Sequence, residues 1–265
     1  MIKPRLAIID ADMFIYLAGW AFHDQLTKLG AMAAKKQMDN LLNGIIKKLD
    51  VDYYLGFFGA LDGRNFRYDV GITKPYKGHR KSPDWQEYFK PILKGHMEKK
   101  WGFYPMNHIE ADDAVIIAHH QYKDDYDITH IGEDKDQKQL GKFKRYNPRT
   151  KSLEHHEHFE GRKFFWKQML HGDSSDNIGG VKGVGAKSKY VQQIDEMDNP
   201  SELLLYNHVY EVYLLKYGED AQDMMVENYL LLNMLTEPRF DYPKDIKLTP
   251  VEKEQMYTTP DIIDI

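Results

Sequence analysis

Phe165-Trp-Lys-Gln-Met-Leu-His-Gly-Asp-Ser-Ser-Asp-Asn-Ile-Gly-Gly-Val-Lys-Gly-Val-Gly-Ala-Lys-Ser-Lys189 places two carboxylates, Asp173 and Asp176, directly before a glycine-rich hairpin and a lysine-bearing helix start. Residues three apart share one side of a helical turn, so the two acids are expected to face a common point, as metal ligands do. Gly183-Val184-Gly185 lacks a Cβ at two of three positions, which lets backbone N–H groups approach an anion closely. The positive N-terminal end of the following helix adds to that attraction. Metal ligands joined to a phosphate cradle point to an enzyme acting on nucleic acid. Without neighbouring motifs, the same Gly-x-Gly would be a plain turn with helix caps.

Upstream of this stretch, Arg5 to Ile9 is a short apolar run that reads as a buried strand ending at Asp10. Met13 to Leu26 and Met32 to Leu49 carry helical spacing, and Tyr53 to Phe58 reads as a second strand. This β-α-β order favours a mostly parallel sheet flanked by helices, an α/β fold. Asp84 to Lys100 reads as helix interrupted at Pro91, Ala114 to Tyr122 as an apolar helix, and Ile128 to Ile131 as a strand before Gly132-Glu-Asp-Lys-Asp136. Asn147-Pro-Arg-Thr150 is the turn signal of a small hairpin. From Arg162 onward helical patterns dominate, including Ser201 to Tyr217 and Asp220 to Leu235, so a helical region follows the α/β front.

At 265 residues and 42% hydrophobic side chains, the chain can bury one large core or two small ones. It has no cysteine, which excludes disulfides and zinc–thiolate sites and makes a reducing cytoplasm the simplest expectation. No apolar run is long enough for a membrane span. The formal net charge of −5 argues at first against nucleic-acid binding, and scattered solvated charge fits the composition alone. The sign turns positive if the acids below are neutralised together by metal. Basic residues also cluster, at Lys74-Pro-Tyr-Lys-Gly-His-Arg-Lys81 and at Lys182, Lys187 and Lys189.

Asp10 follows the first strand, Asp62 the second, and Asp134 and Asp136 a third, so these four are expected to converge beyond the carboxyl ends of a parallel sheet. Taken singly, each is equally a loop aspartate that caps a turn. Glu110-Ala-Asp-Asp113 precedes the apolar helix, where acids also complement the helix dipole. The sum decides: two carboxylates about 4 Å apart repel by roughly 4 kcal/mol at an effective dielectric of 20, so such a cluster needs cations. All-oxygen donors select Mg²⁺ or Mn²⁺. Tyr76, Trp85, Tyr88 and Phe89, interleaved with basic residues, fit a single-strand stacking surface; Trp85 and Phe89 at i, i+4 fit a core equally well.

In order along the chain, Ile8-Ile-Asp-Ala-Asp12, Tyr76-Lys-Gly-His-Arg80, Glu110-Ala-Asp-Asp113, Asp134-Lys-Asp136 and Gly172-Asp-Ser-Ser-Asp-Asn-Ile178 with its hairpin make five blocks. Together they resemble the 5′-nuclease (flap endonuclease) family, nearer the bacteriophage 5′-exonucleases and the 5′-nuclease domain of bacterial DNA polymerase I. Glu227-Asn-Tyr-Leu-Leu-Leu-Asn-Met-Leu235 is similar to the family's last core helix, so the likeness runs over nearly the whole chain. The resemblance implies a PIN-like 5′-nuclease core over 1–165, a helical arch over about 72–108, and a helical DNA-binding region over 166–265 with a helix–three-turn–helix. It implies two or more Mg²⁺ ions, with Mn²⁺ as substitute. Asp10, Asp62, Glu110, Asp112, Asp113 and Asp134 would serve mainly the first, and Asp136, Asp173 and Asp176 mainly the second. Lys77 and Arg80 would contact the scissile phosphate, Tyr76 would stack on a base, and Lys81 would add charge to the arch. Gly183, Val184 and Gly185 would grip duplex DNA through backbone amides, with a bound K⁺, and Lys187 would touch a phosphate.

The activity so implied is metal-dependent 5′→3′ exonuclease and flap endonuclease cleavage in replication, repair or recombination, by a cytoplasmic monomer (in the host cytoplasm if phage-encoded). Its partners would be DNA with 5′ flaps, nicks or ends, RNA–DNA hybrids, and replication proteins such as a single-strand-binding protein. Three departures from the family pattern stand out, the first a short segment between Arg80 and Glu110, like that of the polymerase-linked relatives. Glu133 adds a carboxylate beside the metal loop, and Gly179 replaces the usual proline, which should loosen the turn. A ribonuclease of the related acidic class would account for the carboxylates but not the hairpin. A non-catalytic DNA-binding factor would account for the hairpin but not the acids.

Overall fold

A computed structural model describes residues 2–253, so the end of the helical region expected over 166–265 lies outside the described residues. Strand β1 (Arg5–Asp10) leads into α1 (Asp12–Gly19) and α2 (Lys28–Leu49), then β2 (Tyr53–Gly59). After the short α3 (Arg67–Val70) come α4 (Asp84–His96), β3 (Tyr104–Met106), α5 (Ala111–Tyr122) and β4 (Asp127–Ile131). Strands β5 (Phe143–Asn147) and β6 (Ser152–His156) form the expected hairpin. Asn147 closes its turn by accepting hydrogen bonds from the Arg149 and Thr150 amides at 2.9 and 3.3 Å. Four helices follow: α6 (His158–His171), α7 (Lys189–Glu196), α8 (Glu202–Tyr217) and α9 (Ala221–Leu232). A two-residue strand β7 (Thr249–Pro250) pairs antiparallel with β2.

The sheet order is β3-β2-β1-β4-β5-β6, with β1, β2, β3, β4 and β5 parallel and β6 antiparallel. Side chains alternate across it, as the two-residue period of a strand requires. Ala7 and Ile9 of β1 pack beneath α1, α2 and α4, whereas Leu6 and Ile8 face α5 through Ala114, Val115 and Ala118. Helices α6 to α9 enclose a third core built on Trp166, Leu170, Val191, Val209 and Tyr213.

Within the stretch expected as an arch over 72–108, the long segment without regular structure is the loop before α4. Trp85, Phe89 and Leu93 of α4, and Met97 and Trp101 of the π-turn that follows, are buried against α1 and α2. Their burial settles the i, i+4 question in favour of the core, and carries α4 through Pro91 without the expected break. The turn at Gly179-Gly180 is held tightly, not loosened. Gly180 has φ +58°, and a Cβ there would lie 2.3 Å from the Gly172 nitrogen. The Tyr217 hydroxyl then accepts from the Lys182 amide at 2.8 Å and donates to the Gly180 carbonyl at 3.3 Å.

Candidate metal centre

Beyond β1 the chain builds β2 and β3 to one side and β4 and β5 to the other, so the strand order reverses at the β1–β4 seam. Ligands of open α/β sheets bind past the carboxyl ends of strands at such a reversal. Asp10 ends β1, Asp134 caps the 3₁₀ turn Lys135–Leu140 after β4, and Glu110 is the N-cap of α5. The hairpin side of the molecule adds Asp173 and Asp176. These two do not share a helical turn: a β-bridge between Asp173 and Ile178 closes a loop around them.

Four of the expected acids, and the additional Glu133, are engaged by cations. Glu110 pairs with Lys77 and, at 3.4 Å, with Arg67, and these charges hold its carboxyl below the usual range against the cost of burial. Asp176 pairs with Arg80 at 2.5 Å and lies 3.7 Å from Lys77. Asp173 meets Lys135 at 2.7 Å and accepts from the Ser175 amide and hydroxyl at 2.8 and 2.6 Å, which together outweigh its burial and lower its pKa. Asp113 is fully buried, and the Arg67 guanidinium grips both its oxygens, at 2.5 and 2.8 Å. Glu133, the extra acid of the metal loop, is taken up bidentately by Arg149 at 2.8 Å.

Asp10, Asp112, Asp134 and Asp136 are different: none forms an ion pair within 4 Å among the described residues. Burial, the larger cause, and then neighbouring carboxylates push all four upward: Asp12 and Asp134 act on Asp10, Glu110 and Asp134 on Asp112, and Asp176 on Asp134. Asp136 rises to about 7, through burial and Asp134. A half-buried group of oxygen donors that raise one another's pKa is stabilised by a hard divalent cation, so this donor set fits Mg²⁺ or Mn²⁺. One oxygen from each of Glu110, Asp112 and Asp113 also falls within 4.8 Å of the other two. Gln168 is 1% exposed, and its amide donates to Asp136 at 2.8 Å and to Asp173 at 3.4 Å.

Several expected roles change. Asp62 is exposed, accepts from the Arg64 amide at 3.1 Å in its own turn, and lines a separate cavity with Lys94 and Glu98. It follows β2, on the far side of β1 from the seam. Asp113 is spent on Arg67 as a clamp. Tyr76 is 2% exposed, so its ring is not offered to a base; its hydroxyl donates to Glu110 at 2.8 Å and lies 2.9 Å from Asp176. Val184 is buried in the helical core, leaving Gly183 and Gly185 open, with nothing within 4 Å of the Cβ position of either. Lys77 and Arg80 reach the cluster, whereas Lys81 and Lys187 are exposed and form no ion pair among the described residues. Arg67, Lys135 and Gln168 were not expected. Arg67 is 1% exposed, and also donates to the Leu231 and Asn233 carbonyls at 3.0 Å.

No family model matches this chain. DNA polymerase I of Bacillus subtilis is 25% identical over 274 residues, covering 94% of this chain and 29% of the polymerase. The chain thus spans under a third of the length of the curated relatives it matches. Among solved structures, the T5 D15 protein co-crystallised with metal ions superposes with a TM-score of 0.57 at 17% identity, over 86% of this chain and 100% of that one. The bacteriophage T5 D15 flap endonuclease in a pseudo-enzyme–product complex with DNA and metal ions gives 0.54 at 18% identity, over 86% and 99%. The resemblance to bacteriophage 5′-exonucleases and to bacterial DNA polymerase I is therefore borne out, and the chain has the 5′-nuclease fold.

Proposed function

We propose that the chain is a metal-dependent 5′→3′ exonuclease and flap endonuclease, hydrolysing phosphodiesters near 5′ ends or single-strand/duplex junctions of DNA. One observation carries the reading: Asp10, Asp112 and Asp136 each feel the Asp134 carboxylate, all four half-buried and without ion-pair partners among the described residues, at the strand-order reversal where Lys77 and Arg80 also arrive. The fold shared with a flap endonuclease whose structure holds DNA and metal ions supports it.

Asp10, Asp112 and Asp134 with Glu110 would hold a first ion, and Asp136, Asp173 and Asp176 a second. Such ions supply Lewis acidity and a water of lowered pKa. The protein's own part is alignment. Lys77 and Arg80 offer cationic donors to a phosphate at the cluster, and Tyr76 fixes the spacing of Glu110 and Asp176 through one hydroxyl. Gly183 and Gly185 present an open backbone to a duplex, with K⁺ as a fitting partner, and Lys187 adds a phosphate contact.

Product mapping on 5′-labelled flap, nicked, blunt and RNA-primed duplexes, with and without Mg²⁺, tests the reading. Cleavage confined to the 5′ end or junction, dependent on the ion and abolished in Asp134→Asn, is expected. Ordinary turnover by Asp134→Asn would refute it, and cleavage restricted to RNA would favour the ribonuclease alternative.

A further inference from the structure

The stacking surface read from Tyr76, Trp85 and Phe89 is buried, yet the structure exposes another aromatic group close by. Trp20, in the 3₁₀ turn (Trp20–Phe22) that continues α1, is 58% exposed, and Tyr16 one turn earlier is 48% exposed. The imidazole of His23 lies parallel to the Trp20 indole, 4.5 Å away at 10°. Trp85 of α4 braces both rings edge-on, at 5.6 Å from Trp20 and 5.8 Å from Tyr16. Gly19 makes this brace fit, because a Cβ there would stand 3.2 Å from the Trp85 ring. An indole left this open, yet propped by a buried tryptophan, is a rigid apolar plate facing water, of the kind that binding sites use.

Its position says what it faces. Helix α1 starts two residues after Asp10, and at 1.5 Å per residue Trp20 lies about 12–15 Å from the end of β1. The segment that reaches Trp85 carries the exposed cations Arg80 and Lys81. A chain with phosphates for those cations and flat bases for the plate is single-stranded nucleic acid. We propose that Trp20, with His23 stacked on it, is a base-stacking subsite for the single strand that runs between the acid cluster and the outer end of α1. The subsite rests on the nuclease reading only for where that strand comes from.

The test measures binding of 5′-flap duplexes in an Asp134→Asn background, comparing a thymidine flap with an abasic flap of the same length. Trp20→Ala should weaken the thymidine flap by between about 5-fold and about 150-fold, the value of one base–aromatic stack. It should leave the abasic flap unchanged, and Trp20→Phe should recover part of the loss. The indole fluorescence quenched by the thymidine flap should disappear with Trp20. Unchanged affinity, or an equal loss on both flaps, would overturn the subsite, including when the parent protein cleaves normally. Base-dependent binding by a parent protein that cuts nothing would instead sustain the subsite and sink the nuclease reading.

Discussion

Replacing Arg67 with methionine should be among the most damaging single changes in the described structure. The guanidinium is 1% exposed, and supplies two donors to the fully buried Asp113 and one each to the Leu231 and Asn233 carbonyls. Removing one partner of a buried pair costs about 3–5 kcal/mol, because the charge left behind has nothing to offset its desolvation. Two carbonyls that lose their donor add about 1 kcal/mol or more each, less than additively, since all share one side chain. A loss of roughly 5 kcal/mol is therefore expected, which at about 2–4 °C per kcal/mol lowers the melting temperature by about 10–20 °C. Arg67→Lys keeps the charge but not the planar fork, and should recover only part of this. The double variant Arg67→Met, Asp113→Leu removes the orphaned carboxylate and should regain about 2 kcal/mol or more over Arg67→Met alone. Urea unfolding of the parent, Arg67→Met, Arg67→Lys, Asp113→Leu and the double variant, with slopes compared to verify a two-state transition, makes the measurement. A loss below about 1 kcal/mol for Arg67→Met, or a double variant no better than the sum of the singles, refutes the clamp.

Other predictions concern the site itself. Lys77→Ala should slow single-turnover cleavage about 100-fold or more while changing duplex affinity little; equal losses in both would place Lys77 in binding alone. Gln168→Leu should weaken Mn²⁺ binding about 10- to 100-fold in a calorimetric titration, selectively for the weaker of two ions, because the amide tethers both Asp136 and Asp173. Asp136 has a folded pKa raised to about 7 from 3.8, so the stability it lends is complete below about pH 4 and is lost as pH rises toward 7. In chelator, the protein should lose up to roughly 4 kcal/mol across that window, and Asp136→Asn should flatten the loss; an identical pH profile in the variant would exclude Asp136 as its source.

The α/β core was legible because its signals are periodic and local: strand β1 ends at Asp10 as read, and α5 and β4 fall within a few residues of their expected places. The nearness of Asp10, Asp134 and Asp136 was legible because strand ends border a sheet's binding crevice, whereas Asp112 came only with the family resemblance. The same rule misplaced Asp62, since a strand end says nothing of which side of the switch point its strand will take. Arg67 left no local trace. It opens the four-residue helix α3, and its partners lie 46 and 164 residues away in the chain, so only the tertiary structure identifies it. Helix α9 was expected to reach Leu235 but stops at Leu232, because Asn233 and Leu235 turn out to meet Arg67 and Asp113. Tyr76 looked like a surface aromatic in a basic loop; its burial depends on a helical core more than 80 residues downstream.

The Tyr76 hydroxyl that spans Glu110 and Asp176 also bears on the order in which the molecule assembles. The acid cluster draws on positions as far apart as Asp10 and Asp176, so closing it carries a long loop-closure cost that the local helices of both halves do not. The sheet and the helical region can each gain secondary structure first, and the cluster is complete only once they dock. A chain still emerging from synthesis has β1 to β5 but lacks Gln168, Asp173 and Asp176, and so cannot yet present the whole ligand set. The full ligand set thus arrives last, and recovery of Mn²⁺ binding during refolding should lag behind recovery of helical signal.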